Sequence, residues 1–351
     1  MIKVDFTYSS HKDYATLLPL FEYVKKRGWQ SRLFHIHKMK CRNRSTLNKL
    51  ASTIIIAYDG PLNRLRKCGW NGDFIYLEHG LSPVKSYTYL YRFFFEASLL
   101  FFPGEVFQRK MLALAPSFTR GLLGGYTKCD QLVKESFCKE HFIRKYNLNP
   151  DKPIILFAPS WGSKQGAGIR NIKHLKDLDN VISVPHPSEY RIARRYKAVI
   201  PPLKSNINEF IHCADLIVSD ISSIVAEAAI IGKPTVQLRL EQYPGCFPSP
   251  EKRKTGIWVS DNVIEKEMQT NRLHRPFKIP YIDEDWDFGY SAEPPDIQNT
   301  IQQALDEPNR YKENRTYWAG QSCWHPDGNC IKRIADMTAH FLTTGEIKQM
   351  Q

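Results

Sequence analysis

The sequence lacks any Cys-x-x-Cys pair, although eight cysteines are spread over its 351 residues. That spacing is typical of zinc ribbons and of thioredoxin-like redox sites, so its absence argues against both classes. A chain of this length also needs no disulfides to support its core. We therefore expect reduced cysteines with structural roles and no zinc site.

Long hydrophobic runs are missing too. No apolar stretch approaches the roughly 20 residues that a membrane-spanning helix requires. The first residues lead directly into a strand-like pattern and show none of the features of a signal peptide. We therefore expect a protein that folds in the cytoplasm.

Three common glycine motifs are also absent. The chain has no G-x-G-x-x-G after its first strand-like segment, no G-x-x-x-x-G-K-[ST] and no G-x-S-x-G. These absences argue against a nicotinamide-dependent dehydrogenase, a P-loop nucleotide hydrolase and an α/β-hydrolase.

Acidic residues are the scarcer charge, because 36 Asp and Glu stand against 49 Lys and Arg, a net charge of +13. Such an excess favours anionic partners. The basic residues form only short patches and no zinc-finger, RNA-recognition or helix-turn-helix signature, so we expect no nucleic-acid partner. Short patches suit a peripheral contact with an anionic membrane surface or binding of a polyanionic acceptor.

Strand-like and helix-like segments alternate along the chain, which is typical of parallel sheets covered by helices on both faces. Two successive halves with this pattern predict an α/β protein with two facing, doubly wound, Rossmann-like domains and a cleft between them. The strand-like segments are residues 2–8, 29–37, 52–59, 73–80, 98–104, 153–161, 180–187, 196–202, 214–220 and 234–238.

The pattern also predicts domain boundaries. The polar, charged stretch 141–152 ends at a proline and is predicted to be a linker between domains over residues 1–140 and 153–325. Residues 243–292, rich in proline, aromatics and charge, are predicted to be loops that form a lid. We expect a C-terminal helix within 326–351 to pack against the first domain.

Polar residues follow the predicted strands at their carboxyl ends, where doubly wound sheets bind ligands. His79-Gly80 follows one strand, and Ser160 and His186 each follow another. The richest case runs from Ser219 to Ser223, where a strand, a polar turn and the start of a helix predict a seat for a phosphate group.

Each of these residues also has a simple structural interpretation. A histidine at a strand end can accept an acceptor hydroxyl's proton, or it can bond only to a nearby carbonyl. His186 lies in a turn stiffened by flanking prolines, which suits a phosphate ligand but also an incidental turn residue. Asp220, Ser222 and Ser223 are good helix caps in any case, and Glu227 suits a ribose contact or an exposed helix position.

The ordered set of these motifs resembles the CDP-glycerol glycerophosphotransferase family, whose members build teichoic acids and related capsule polymers. His79-Gly80 with Pro83 and Lys85 resembles its H-G-T-P-L-K segment. The other matching segments are Gly125–Asp130, Phe157–Trp161, Pro185–Pro187, Ile207–Glu209, Ala214–Asp215, Ser219–Ser223, Asp327–Gly328 and Arg333–Ile334.

The resemblance implies a GT-B-type fold and a metal-independent phosphotransferase on the inner membrane face, with no cofactor. It implies a CDP-activated donor, and an acceptor that is a lipid-linked glycan or a polysaccharide. It assigns His79 as the base or as an acceptor-binding residue, with Gly80 and Lys85 on the acceptor side. It places His186, as a catalytic residue, with Ser222 and Ser223 at the donor phosphates. We predict that Ser160, Ser219, Asp220, Glu227 and Arg333 also belong to the donor site.

The chain departs from the family pattern at three places, which leaves the transferred group open. One residue is added between Gly80 and Pro83, Ile221 replaces a tyrosine, and Val184-Pro185 replaces the Arg-x before His186. We predict transfer of a polyol phosphate such as glycerol phosphate. The alternatives are a nucleotide-sugar glycosyltransferase or sugar 2-epimerase of the same fold, and a non-catalytic scaffold of a polymer assembly complex.

Overall fold

The computed structural model describes residues 2–36, 47–83, 89, 92–115, 117–160, 168–196, 198–203, 205–239 and 288–350. Their contacts divide the chain into two compact units. The first unit contains the described residues up to 131 and from 321 onward. The second unit contains those from 132 to 320.

The first unit is built on a six-stranded sheet in which all neighbouring strands are parallel. Its order is β2-β1-β3-β4-β5-β6. Two of its inner strands, Thr53–Ile56 and Leu99–Phe102, are mainly apolar and fully buried, as expected when helices cover both faces. The strands are β1 (Asp5–Tyr8), β2 (Leu33–His35), β3 (Thr53–Ile56), β4 (Asp73–Leu77), β5 (Leu99–Phe102) and β6 (Gly121–Leu123).

Helices flank this sheet and connect its strands. The first begins at a capping box, in which Ser10 and Asp13 bond each other's backbone N–H groups, and buries Leu17, Leu20 and Val24. The last helix of the chain packs on the first, beside the same core. The helices are α1 (His11–Lys26), α2 (Asp59–Lys67), α3 (Arg92–Glu96), α4 (Glu105–Leu114), α5 (Cys129–Lys134, which runs into the second unit) and α12 (Cys330–Thr344).

The second unit is built on a five-stranded parallel sheet of order β11-β10-β9-β7-β8. Counted from its own first strand this is the order 2-1-3-4-5, which the first five strands of the other sheet share. In such sheets the order reverses beside the first strand, and ligands bind at that switch point. The strands are β7 (Ile155–Phe157), β8 (Val181–Ser183), β9 (Leu216–Ser219), β10 (Thr235–Leu238) and β11 (Tyr290–Ala292).

Short helices cover the second sheet. They are α6 (Lys139–Tyr146), α7 (Tyr190–Ala193), α8 (Ile207–Cys213), α9 (Ile224–Ile230), α10 (Ile297–Asp306) and α11 (Lys312–Ser322, whose last residues lie in the first unit). Together the two sheets confirm the predicted α/β class with two doubly wound halves. Among the described residues, no helix is both long enough and apolar enough to cross a membrane.

The structure corrects the prediction that residues 141–152 form a linker. Its first half belongs to α6, which lies in the second unit and buries Phe142 against Phe210, with ring centroids 5.3 Å apart. Asn147, at a φ of 52°, ends this helix. The helix α6 is mostly charged and buries a single aromatic side chain, which is why its sequence resembles a linker. The boundary between the two units falls at residue 131 rather than 140.

Three other differences concern strands. The sequence pattern misses β6 and β11, whose sequences GLL and YSA form no extended apolar run. The predicted strand over 196–202 supplies only an isolated bridge between Val199 and Ile182. Of the predicted loop region, residues 243–287 lie outside the described residues.

Candidate active-site residues

His79 follows β4 by two residues, at the carboxyl edge of the first sheet, where the sequence predicts it. Its imidazole is half-buried and meets the ring of Tyr58 edge-on, with ring centroids 5.8 Å apart. Tyr58 directly precedes α2 and is 48% exposed, an unusual position for a large ring. The Tyr126 hydroxyl donates to the His79 carbonyl oxygen at 3.3 Å, which ties the strand end to the loop before α5.

The sequence does not single out Glu78, whose side chain is largely buried beside His79. Glu78 Oε1 lies 3.4 Å from His79 Nδ1 and accepts the His79 backbone N–H at 3.0 Å. The sequence shows only a charged residue at a strand end, where solvent exposure is the usual outcome. Burial is what makes this carboxylate noteworthy, and burial is visible only in the structure.

The loop after His79 is fixed by a buried lysine. Gly80 is buried, and Lys110 on α4 donates from Nζ to the Pro83 carbonyl oxygen at 2.6 Å. This contact holds the start of the predicted acceptor loop against the sheet. Lys85, the other predicted acceptor-side residue, lies outside the described residues.

In the second unit, Ser160 and Asp220 meet at the switch point between β7 and β9. Asp220 accepts the Ser160 backbone N–H at 2.9 Å and the Ser160 hydroxyl at 2.8 Å, and it also accepts the Ser222 backbone N–H at 3.1 Å. Both side chains are buried. The structure therefore gives this pair the role of shaping two neighbouring loops, and a carboxylate saturated in this way is no direct ligand for an anion.

Ser219 is also buried, and its hydroxyl donates to the Ala158 carbonyl oxygen at 2.6 Å. Ser222, Ser223 and Glu227 are half-buried, with Ser223 and Glu227 one helical turn apart at the start of α9. Of the predicted donor residues in this segment, these three keep side chains accessible to a ligand.

His186 follows β8, the strand on the other side of β7. The Val184 N–H donates to the Phe157 carbonyl oxygen at 2.9 Å, and the Glu189 N–H donates to the His186 carbonyl oxygen at 2.8 Å. These bonds hold both ends of the loop, and the His186 side chain is half-buried. The loop thus leaves the same sheet edge as Ser160 and Ser222.

Arg333 lies in the first unit, on α12, and is nearly saturated by its own neighbourhood. Both of its 2.9 Å bonds from Nη1 reach the Asp327 carboxylate, and Nη2 donates to the His325 carbonyl oxygen at 2.5 Å. The side chain is 7% exposed. The structure gives Arg333 the role of holding the turn before α12, and its predicted contact with a donor phosphate stays a prediction.

A second family segment supports the same helix. Asp130 accepts the N–H groups of Cys330 and Ile331, at 2.8 and 2.9 Å, and so caps α12. Cys129, Cys323 and Cys330 are unbridged and buried. Within the part of the chain that the structure describes, no cluster of histidine, cysteine and carboxylate side chains is suited to a metal ion.

Comparison with known proteins bears on both fold and family. Residues 110–243 match the family described as CDP-Glycerol:Poly(glycerophosphate) glycerophosphotransferase. This segment includes Ser160, His186, Ser219–Ser223 and Glu227, whereas His79 and Arg333 lie outside it. No curated protein matches the chain at a significant level.

Solved structures share the fold of the whole chain at low sequence identity. The wall teichoic acid polymerase TagF is 17% identical, with a TM-score of 0.65 over 98% of this chain and 90% of that one. The UDP complex of MnaA from S. aureus is 14% identical, with a TM-score of 0.60 over 100% of both chains. UDP-GlcNAc 2-epimerase from Neisseria meningitidis, bound to UDP-GlcNAc, is 14% identical, with a TM-score of 0.60 over 96% and 100%.

These scores lie close together, so the fold alone does not separate a polymerase from an epimerase. The sequence match over residues 110–243, which include the Ser160–Asp220 pair and the start of α9, is to a glycerophosphotransferase family. Over residues 110–243 the chain therefore resembles the CDP-glycerol:poly(glycerophosphate) glycerophosphotransferase family, as the ordered motifs predicted, within a fold that it shares with a teichoic acid polymerase.

Proposed function

We propose that the chain transfers a polyol phosphate, of the glycerol phosphate type, from a CDP-activated donor to a hydroxyl of a cell-surface polymer or lipid-linked glycan. The observation that carries this proposal is the family match over residues 110–243. A structure of a TagF variant soaked with CDPG supports the same donor class.

The reaction is an in-line displacement at phosphorus. The acceptor oxygen forms a bond to the donor's polyol-bearing β-phosphorus, and the bond from that phosphorus to the bridging oxygen breaks. CMP leaves with the electron pair, and His79 takes the proton of the acceptor hydroxyl. A positioned base of this kind typically contributes about 10²–10⁴-fold.

The second unit supplies the donor contacts. Ser222, Ser223 and His186 offer hydroxyl and imidazole groups to the diphosphate, and Glu227 suits a ribose hydroxyl. Ser160 and Asp220 act on these groups indirectly, because their mutual bonds fix the two loops in advance. Electrostatic stabilisation is most effective when donors need no rearrangement during the reaction.

The remaining parts of the proposal concern the surroundings of the reaction. The net charge of +13 supports a peripheral contact with anionic lipids on the inner face of the cell membrane, where a lipid-linked acceptor would be presented. We also propose that no metal takes part. Turnover in excess EDTA tests this last point, because loss of activity would contradict it.

A donor screen tests the proposed function. The melting temperature of the purified chain is measured with CDP-glycerol, CDP-ribitol, UDP-sugars or CMP-sugars. The products formed from each donor and a glycan acceptor are then identified by mass spectrometry. We expect a CDP-polyol to raise the melting temperature and to add one polyol phosphate to the acceptor. Conversion of a UDP-sugar to its epimer would establish the epimerase instead, and a lack of any nucleotide effect would favour the scaffold.

A further inference from the structure

The side chain of Glu78 is largely buried, and it lies beside a histidine that the sequence predicts to be a base. Its side chain is 8% exposed and that of His79 is 21% exposed. A buried carboxylate is costly unless it is paired or hydrogen-bonded. Its position therefore calls for an explanation beyond an ordinary strand end.

The surroundings of Glu78 fix its direction. Oε1 accepts the His79 backbone N–H at 3.0 Å, and Oε2 accepts the Tyr76 hydroxyl at 3.4 Å. Tyr76 belongs to β4, which is flanked by β3 and β5. Burial, with the charge of Glu78 adding to it, raises the pKa of Tyr76 well above its usual value, so that hydroxyl remains a donor. The carboxylate is thus held on a central strand.

The imidazole of His79 is restricted from two sides. Its Nδ1 lies 3.4 Å from Glu78 Oε1, and its ring meets that of Tyr58 at an interplanar angle of 87°. The 3.4 Å separation is long for a hydrogen bond but short for an ion pair. Contacts to catalytic groups are often loose in the absence of substrate and tighten when it binds.

We propose that Glu78 is a positioning residue for His79. Its carboxylate faces Nδ1, favours the tautomer with the proton on Nδ1, and leaves the Nε2 lone pair to accept the proton of the attacking hydroxyl. Once Nε2 is protonated, the same carboxylate stabilises the imidazolium. A carboxylate that orients a histidine base in this way is a recurring arrangement in enzymes. The identity of the hydroxyl rests on the proposed function, but the tautomer does not.

Kinetics of Glu78→Gln test the catalytic part. Glutamine keeps the size of the side chain and an oxygen for the His79 N–H, but it removes the charge. We expect kcat to fall roughly 10- to 100-fold, less than the loss of the base itself, with the donor KM changed by no more than about 2-fold. Glu22→Gln, at an exposed position of α1, is the matched control and keeps wild-type kcat. A kcat for Glu78→Gln equal to that of the control overturns the proposal.

The imidazole nitrogen signals test the tautomer without any activity. In ¹⁵N-histidine-labelled protein at pH 8, with His79→Gln used to assign the resonance, we expect the Nδ1–H form in the wild type and loss of that preference in Glu78→Gln. A wild-type Nε2–H form overturns the proposal. Glu78→Asp, which keeps the charge, is the second variant in case Glu78→Gln does not fold. We expect Glu78→Asp to retain the Nδ1–H form and to be more active than any Glu78→Gln protein that can be refolded. The expected tautomer in a chain without transferase activity would reject the proposed function alone.

Discussion

At the carboxyl edge of the first sheet, the chain presents a half-buried imidazole with a buried carboxylate behind it. At the same edge of the second sheet, the polar residues mostly bond to each other, and Ser160, Ser219 and Asp220 are buried. The first five strands of the first sheet have the same order as the strands of the second sheet, so the topology does not explain the difference. The difference indicates that the first unit offers a titratable group, whereas the second unit offers preorganised hydroxyls and loops.

The largest effect that distinguishes the two units is expected at His79. His79→Ala removes the base but leaves every contact of the second unit in place. We expect kcat to fall about 10²–10⁴-fold while donor binding, measured by calorimetry, persists. Turnover near the wild-type rate would contradict the base assignment, and a parallel loss of donor affinity would mean that His79 binds the donor.

Asp220→Asn tests whether the second unit depends on its buried polar pair. The asparagine oxygen replaces only part of the acceptor capacity that Ser160 and Ser222 use, and its NH₂ group faces their donors. We expect the free energy of unfolding by urea to fall by about 2–3 kcal/mol and donor affinity to fall with it. Asp179→Asn, at an exposed position in the same unit, is the control. Unchanged stability would mean that the pair is dispensable.

Arg333→Lys tests whether this arginine is structural. Lysine keeps the charge but loses the fork that bonds both Asp327 oxygens and the His325 carbonyl. We expect the free energy of unfolding to fall by about 2 kcal/mol, with an unchanged donor Kd in calorimetry. A weakened donor Kd at full stability would instead assign Arg333 to the donor, as the family resemblance implies.

The smallest effect concerns Asp130 and pH. Burial, with the charge of Cys330 adding to it, raises the pKa of Asp130 to about 6. The pKa of an aspartate in the unfolded chain is about 3.9, so the folded state binds more protons than the unfolded state between pH values of about 4 and 6. The contribution of Asp130 to stability therefore declines as the pH rises through this range. We expect Asp130→Asn to remove about 1–2 kcal/mol of that dependence in urea unfolding at pH 4.5 and 7. Asp73→Asn, at an exposed site, should keep it.

Much of the architecture could be predicted from the sequence. Buried parallel strands are continuous apolar runs, so most of the described strands coincide with predicted segments, and His79, Ser160 and His186 lie at the strand ends where the pattern puts them. The linker prediction fails because α6 is charged on its outer face, and its one fully buried side chain, Phe142, is too weak a signal in the sequence.

The roles of the site residues depended on tertiary contacts. Sequence alone determined the class of fold, the resemblance to one family and the strand ends that carry polar groups, because those follow from local periodicity and motif order. Only the tertiary structure decided that Asp220 and Arg333 bond to protein groups and that the Glu78 side chain is buried beside His79. The reason is that hydrogen-bond partners can lie far apart in sequence, and that packing decides how exposed each side chain is.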